Sequence, residues 1–215
     1  LTHTLEVAQV SRSLARTLHL NEDLAEAIAL AHDLGHTPFA HGGEEAMHRM
    51  LKRYGMRFEH NEQSRRVVEL LEQRYPNFQG LNLTFETLDG LGKHETPWDH
   101  PKKADHEQGL SLEGQVVDLG DEIAYTAHDI DDGLRAEFFT INELKQCSLI
   151  QRMTREITND YGVLDRDDIL RYQIVRYTIG FLVHAIIEET KKRITRHNVK
   201  TRNDILRCRA RLVDF

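Results

Sequence analysis

An adjacent histidine and aspartate end an apolar helical segment, and this pair restricts the possible folds of the 215-residue chain more than any other feature. Leu24, Ile28 and Ala31 repeat at helical spacing, and His32 follows on the same face. The pattern predicts an amphipathic helix with His32 turned inward and Asp33 beside it. A buried carboxylate is costly unless it is paired or bound to a cation. The pair therefore indicates a helical fold that brings a ligand, most simply a metal ion, to this point.

The residues that follow this pair add groups suited to proton transfer. A glycine and a proline end the helix, and a Gly-Gly pair precedes another helix predicted over residues 44–53. His41 and Glu44 lie three positions apart across that turn, so we expect both to face one cavity. A histidine beside a carboxylate is suited to general acid–base chemistry next to a metal ion.

His3 occupies the apolar face of a helix predicted over residues 2–19, one turn before Val7. Taken alone, a histidine in such a stripe is more often a hydrogen-bonded core residue than a ligand. A second helix, predicted over residues 111–134, carries Asp121 on its apolar face. These two side chains gain interest because they add an imidazole and a carboxylate to the His-Asp pair.

The same predicted helix carries further polar groups. Tyr125 follows Asp121 by one turn and Asp129 follows by one turn more, which is not typical of a hydrophobic core. Asp118 and Glu122 are displaced from the apolar stripe, and we interpret them as charges that face solvent.

The remaining segments are predominantly helical in pattern, and none has a strong strand pattern. Asn61 is a suitable N-cap for a helix that opens near residue 60. The apolar residues expected to be buried in that helix are Val67, Val68, Leu70 and Leu71. We predict further helices over residues 85–91, 142–160 and 167–195. The proline- and glycine-rich stretch 76–107 is interpreted, with equal weight, as a pocket wall or as a surface crossover.

Composition limits the classes of function. Hydrophobic residues make up 40% of the chain and charged residues 29%, which is typical of a soluble globular protein. The net charge of −7 disfavours nucleic-acid binding that relies on phosphate neutralisation alone. Basic residues nevertheless concentrate after Glu189, usually a sign of a solvated helix face, and this segment leaves single-stranded nucleic acid open as an effector.

The cysteine content and the hydropathy predict the cellular compartment in which the chain works. Cys147 and Cys208 are the only cysteines, which excludes a disulfide framework and a cysteine-built zinc site and favours a reducing cytoplasm. No apolar run approaches the ~20 residues that span a bilayer, so we expect no membrane partner. The chain begins inside a predicted helix and without methionine, so we expect it to be a fragment.

Two imidazoles and two carboxylates on separate predicted helices form a donor set for one divalent ion. The four candidate ligands are His3, His32, Asp33 and Asp121. Such a mixed nitrogen and oxygen set suits Mn, Fe, Co, Ni or Zn, and Mg is a further candidate. An octahedral ion would keep two positions for water or substrate oxygens. Any one of these residues alone favours a structural role, whereas the four together favour a metal site.

The pattern H…HD…D resembles that of the HD-domain superfamily of metal-dependent phosphohydrolases. The block HDLGHTPFAHGGE, with HTLEVA before it and FEHN and DEIAY after it, is similar to the deoxynucleoside triphosphate triphosphohydrolases, the dGTPase-like branch. The similarity runs from His3 to about Arg135. The resemblance implies an all-α fold, an HD-domain helical bundle with additional C-terminal helices. It implies a catalytic core at residues 1–135 and a helical extension at 136–215, packed on the core as one continuous domain.

The resemblance also implies hydrolysis of a dNTP, such as dGTP, to the deoxynucleoside and tripolyphosphate. His3, His32, Asp33 and Asp121 would be the metal ligands. The implied catalytic residues are His41, Glu44 and His60. The implied substrate-binding residues are Tyr125 and Asp129 at the sugar, with His36 and Lys93 at the triphosphate. A homo-oligomer, commonly a hexamer, is implied as well.

Two alternatives stay open at the level of sequence. One is another HD phosphohydrolase, such as a 5′-nucleotidase or a phosphodiesterase. The other is an HD module that senses nucleotides or single-stranded nucleic acid without turnover. The presence of all four candidate ligands favours an enzyme, and the spacing of Tyr125 and Asp129 favours the dNTP hydrolase.

Overall fold

The structure is a computed structural model that describes residues 1–92, 109–208 and 210–215. Within these ranges the fold is all-α, as predicted, and the only β contact is an isolated bridge between Gln73 and Gly80. The α-helices are α1 (Thr2–Thr17), α2 (Glu22–Ala31), α3 (Ala40–Lys52), α4 (His60–Arg66), α5 (Phe85–Gly92), α6 (Leu112–Arg135), α7 (Ile141–Leu144), α8 (Ser148–Tyr161), α9 (Asp167–Arg196) and α10 (Arg202–Arg207). A π-helical turn, Val67–Leu71, extends α4.

Helices α1, α2 and α6 pack against one another and form the first core. Alanines and valines dominate this core, so the helix axes approach closely. Helices α1 and α6 approach closely at Gly120, where a Cβ atom would lie 2.4 Å from Ser11 Oγ. Asn21 caps α2 as predicted, since its side chain accepts a hydrogen bond of 3.0 Å from the amide of Leu24. This crossing brings the inward faces of α1 and α6 to one place.

A second core joins α6 to α9 and to the C-terminal segment. Leu212 and Val213 are fully buried in it. The Gln115 side-chain oxygen accepts hydrogen bonds from both of their amides, at 2.9 and 3.0 Å. Residues on both sides of position 135 therefore share one hydrophobic core.

Two charges on α6 depart from the expectation that they face solvent. Asp118 is buried, and its carboxylate lies 3.3 Å from the guanidinium of Arg211 in the C-terminal segment. Glu122 is half-buried, and burial raises the pKa of its carboxyl despite the opposing charge of Arg211. The prediction failed because the partner that covers this side of the helix lies 93 positions away in the chain.

Three local expectations near the candidate site were also wrong. Helix α3 begins at Ala40, several residues earlier than predicted, after Phe39 adopts a left-handed conformation with φ +68°. Glu59, rather than Asn61, caps α4 by accepting hydrogen bonds from two backbone amides.

The third concerns the end of α4. Val68 is buried as predicted, whereas Val67 is only partly buried and Leu70 and Leu71 are 44% and 50% exposed. The π-helical turn rotates these residues away from the face that a regular helical period predicts.

The predicted helix over 85–91 is confirmed as Phe85–Gly92, and the long helix over 167–195 as Asp167–Arg196. Lys93, assigned to the triphosphate, lies outside the described residues. So does the rest of the predicted pocket wall or crossover from residue 93 to residue 107. Among the described residues, no helix combines the length and the apolar character that crossing a membrane requires.

Replacing Gln115 by alanine tests the attachment of the C-terminal segment to α6. The amides of Leu212 and Val213 would be buried without their acceptor, so we expect the free energy of unfolding to fall by about 1–3 kcal/mol. Urea denaturation measures this change. Gln151→Ala, at an exposed position of α8, is the control and should stay within about 0.5 kcal/mol. Equal effects of the two substitutions would contradict the proposed attachment.

Candidate metal centre and adjoining histidine cluster

All four predicted metal ligands meet where α1, the end of α2 and the middle of α6 converge. His3 comes from the first turn of α1 and Asp121 from α6. His32 is the C-cap residue of α2 and Asp33 begins the turn after it. The chain brings these residues together because each lies on, or directly after, the apolar face of its helix.

The distances among these side chains are short. His3 Nε2 lies 2.8 Å from Asp121 Oδ1 and 3.5 Å from Asp33 Oδ2. His32 Nε2 lies 3.0 Å from Asp33 Oδ1 and 3.6 Å from Asp121 Oδ1. One ligand atom each from His3, His32 and Asp121 lie within 4.8 Å of one another.

Backbone contact fixes the orientation of the buried His32 ring. Its Nδ1 lies 2.7 Å from the carbonyl oxygen of Ala29. Because a carbonyl can only accept a hydrogen bond, Nδ1 donates and Nε2 is directed toward the cluster, where it can donate to Asp33 or, once deprotonated, bind an ion. This arrangement is the usual way in which a protein orients a histidine that binds metal.

The donor set fits a divalent ion. Nitrogen and oxygen ligands that share one ion at ~2.1 Å lie ~3.0–3.5 Å from one another, which matches the contacts described above. Two carboxylates and neutral imidazoles supply the negative charge and lone pairs that such an ion requires. His32 and Asp121 are buried, so an ion held there would be partly shielded from water.

Asp33 remains ionised despite its partial burial. Desolvation alone would raise the pKa of its carboxyl, but the hydrogen bond from His32 and the charge of that ring outweigh desolvation, and the pKa lies below its usual value. Asp33 Oδ1 also lies 3.5 Å from His36 Nε2. The carboxylate therefore joins the metal centre to a second group of histidines.

This second group comprises His36, His41 and His60 together with Glu44. Glu44 accepts a hydrogen bond of 2.9 Å from the backbone amide of His60, and its carboxylate lies 3.1 Å from Nδ1 of that ring. His41 lies edge-on to His36, with ring centroids 5.5 Å apart. The sequence suggested Glu44 as the partner of His41, whereas the structure shows Glu44 in contact with His60, 16 positions away.

His36 stacks on His60 with 4.2 Å between ring centroids and 13° between ring planes. Burial, together with the neighbouring His60, lowers the pKa of His36. One nitrogen of His36, one nitrogen of His60 and one carboxylate oxygen of Glu44 lie within 4.8 Å of one another, close enough to hold an ion. However, the lone pairs of nearly parallel rings lie in separate planes and do not converge on one ion. The histidine cluster is therefore better suited to proton transfer and to anion binding than to a second metal.

The turn after His32 is held by close contact with α4. Ser64, fully buried, donates a hydrogen bond to the His32 carbonyl and accepts one from the Gly35 amide, both at 2.8 Å. At Gly35 a Cβ atom would lie 2.0 Å from the carbonyl oxygen of His60. Only glycine fits there, and this contact sets the distance between the metal centre and the histidine cluster. The sequence signals Gly35 as a helix terminator but not this packing.

The two residues assigned to the sugar lie one turn apart on α6. Tyr125 is half-buried and Asp129 is exposed. The same face carries His128, which contacts Glu6 of α1. His128 follows Asp121 by seven positions, which is two helical turns, and its partner lies 122 positions away in the chain, so the sequence gave no sign of this contact.

An all-α fold with a two-histidine, two-carboxylate centre beside an acid–base cluster defines a class of helical metal-site proteins. A model of that class, described as the HD domain, matches residues 1–126. The chain belongs to the HD domain family.

Curated relatives match along the whole chain. A protein of Geobacter sulfurreducens is 44% identical and one of Bradyrhizobium sp. is 46% identical, each aligned over 100% of this chain. A protein of Bartonella tribocorum is 42% identical over the same extent. All three bear the name deoxyguanosinetriphosphate triphosphohydrolase-like protein. The chain spans 56–58% of the length of these relatives.

A methyl group at position 35 should disrupt the turn that carries the metal ligands. We expect Gly35→Ala to lower the free energy of unfolding by about 1–3 kcal/mol, because the neighbouring backbone must shift. Gly42→Ala is the matched control, since nothing lies within 4 Å of a Cβ atom there. That helical substitution should be neutral or should stabilise by about 0.5–1 kcal/mol. Chemical denaturation compares the two, and similar changes at both positions would refute the packing argument.

Proposed function

We propose that the chain contains the active site of a metal-dependent phosphohydrolase that cleaves a deoxynucleoside triphosphate into the deoxynucleoside and tripolyphosphate. The observation that carries the proposal is the joining of the two clusters through Asp33, which lies within 3.5 Å of His3, His32 and His36. A site for a divalent ion thereby adjoins histidines that could bind phosphate oxygens and transfer protons. The name of the relatives, deoxyguanosinetriphosphate triphosphohydrolase-like protein, supports the choice of a deoxynucleotide as substrate.

A divalent ion bound by the four ligands would supply a Lewis acid for phosphate oxygens and would lower the pKa of a bound water. The chain's own residues have separate tasks. His60, oriented by Glu44, is placed to hold or donate a proton at its Nε2. His36 and His41 lie beside it and would donate hydrogen bonds to phosphate oxygens. His60 is buried, and the exclusion of water there strengthens its interaction with Glu44.

Tyr125 and Asp129 are proposed to bind the deoxyribose. They follow Asp121 along α6, so a substrate with its phosphates at the metal would extend its sugar toward them. A carboxylate accepts a hydrogen bond from a 3′-hydroxyl, and a tyrosine ring leaves little room for a 2′-hydroxyl. A deoxynucleotide is therefore preferred over a ribonucleotide in this proposal.

The runner-up is a different HD phosphohydrolase, and its products distinguish it. The basic residues after Glu189 suggested single-stranded nucleic acid as an effector, and the structure gives this suggestion less support than the proposed hydrolysis. Arg193 pairs with Glu189 and Asp214, and Lys191 lies 3.8 Å from Glu188. These acidic partners compensate part of the positive charge that phosphates would need.

Hydrolysis of each dNTP with added Mn²⁺, Mg²⁺ or Co²⁺ tests the proposed reaction. We expect tripolyphosphate, resolved by ion chromatography, as the phosphate product. Pyrophosphate or orthophosphate as the sole product would indicate the runner-up. Asp121→Ala should abolish turnover and metal binding because it removes a buried ligand, whereas Asp132→Ala, at an exposed site of the same helix, should change neither. Metal retained by Asp121→Ala at the affinity of the unmodified chain would show that Asp121 is misassigned.

Glu44→Gln tests the proton-transfer role of the histidine cluster. The amide keeps the shape of the side chain but replaces one of the two carboxylate oxygens beside His60 Nδ1 with a nitrogen, so we expect kcat to fall by about 100-fold or more with metal content unchanged. Glu45→Gln provides the control, because Glu45 is exposed and lies near Arg49 rather than the cluster. Steady-state kinetics with metal analysis would refute this role if the two variants turned over equally.

A further inference from the structure

A second histidine–carboxylate contact joins α1 to α6 beside the metal centre. Glu6 Oε2 contacts His128 Nε2, and the His128 ring lies edge-on to that of His3, with centroids 5.9 Å apart. Neither Glu6 nor His128 belongs to the proposed ligands or to the histidine cluster. Their side chains are 27% and 34% exposed, respectively, so the contact lies at the rim of the centre.

The first turn of α1 carries His3, whose Nε2 lies between the carboxylates of Asp33 and Asp121. Leu5, on the same turn, is 54% exposed, so its side chain contributes little packing that would fix this turn. Side chains that tie this turn to α6 therefore influence the position of His3.

Helix α6 contacts this end of α1 at two levels. Asp121 meets His3, and His128, seven positions later and about 10 Å further along the axis, meets Glu6. The helices also approach closely at Gly120, next to Ser11 of α1. Rotation of α1 about that crossing would move His3 away from Asp121. The contact between Glu6 and His128 opposes this rotation on the side where His3 lies.

We propose that Glu6 and His128 are a positioning pair that holds the His3 imidazole toward the metal and so sets the affinity and the geometry of the centre. This inference rests on the metal site of the proposed function. The positioning requires only that His128 donate a hydrogen bond to the Glu6 carboxylate, and both the neutral and the protonated ring can do so. Groups of this kind, which support a ligand without binding the ion, commonly alter metal affinity or activity by about 10–100-fold.

Titration of the chain with Co²⁺ tests the pair, with visible absorption reporting ligand geometry and calorimetry reporting affinity. We expect His128→Leu and Glu6→Ala each to weaken Co²⁺ binding about tenfold or more and to shift the absorption bands. His128→Gln should recover most of the affinity, since its amide can still donate to Glu6. The matched control is Glu26→Gln, which removes a contact between Arg12 of α1 and Glu26 of α2 away from the centre. It should leave affinity and spectrum unchanged.

The outcomes separate this inference from the metal site itself. If the unmodified chain binds no Co²⁺, the metal centre and the positioning pair both fail. If it binds Co²⁺ and His128→Leu binds with the same affinity and spectrum, only the pair fails. Loss of affinity in His128→Leu without recovery in His128→Gln, in step with an equal loss of thermal stability, would show a general structural role and would also overturn the proposal. A loss of kcat/KM with unchanged Co²⁺ binding would assign His128 to substrate contact instead.

Discussion

The carboxylate of Asp121 lies on the buried side of α6, and the arrangement of the neighbouring helices depends on it. Taking an ionised carboxylate out of water is costly, so groups of opposite character must surround it. The His3 imidazole approaches within 2.8 Å and the His32 imidazole within 3.6 Å. The α1–α6 crossing allows this approach, because Gly120 has no side chain that would collide with Ser11 of α1. A divalent ion between these groups would compensate the remaining charge.

The two clusters are close because the turn after α2 is anchored at both ends. Ser64 bonds to the carbonyl of His32 and to the amide of Gly35, and His36 then stacks on His60. Asp33, between them, contacts both clusters. This turn places His36 and His60 beside the candidate metal ligands, and the proposed hydrolysis depends on that proximity.

Helical periodicity was sufficient to predict most of the helices and the inward direction of His32 and Asp121, because burial of one helix face is a local property of the sequence. The all-α fold as a whole followed from the resemblance to the HD-domain superfamily. Periodicity failed where the partner is distant in the chain. Asp118 looked exposed because Arg211, which covers it, cannot be inferred from spacing. The contact between Glu6 and His128, 122 positions apart, was likewise missed. At the π-helical turn the prediction of burial from helical spacing failed for a local reason, because its residues do not follow the period of an α-helix.

Anomalous X-ray diffraction from crystals of the chain grown with Mn²⁺ tests the central claim most directly. The account predicts one strong peak surrounded by Nε2 of His3, Nε2 of His32 and the carboxylates of Asp33 and Asp121, at about 2.0–2.3 Å from each bound atom. The result that would contradict it is a peak between His36, Glu44 and His60, or Mn²⁺ bound only at surface carboxylates.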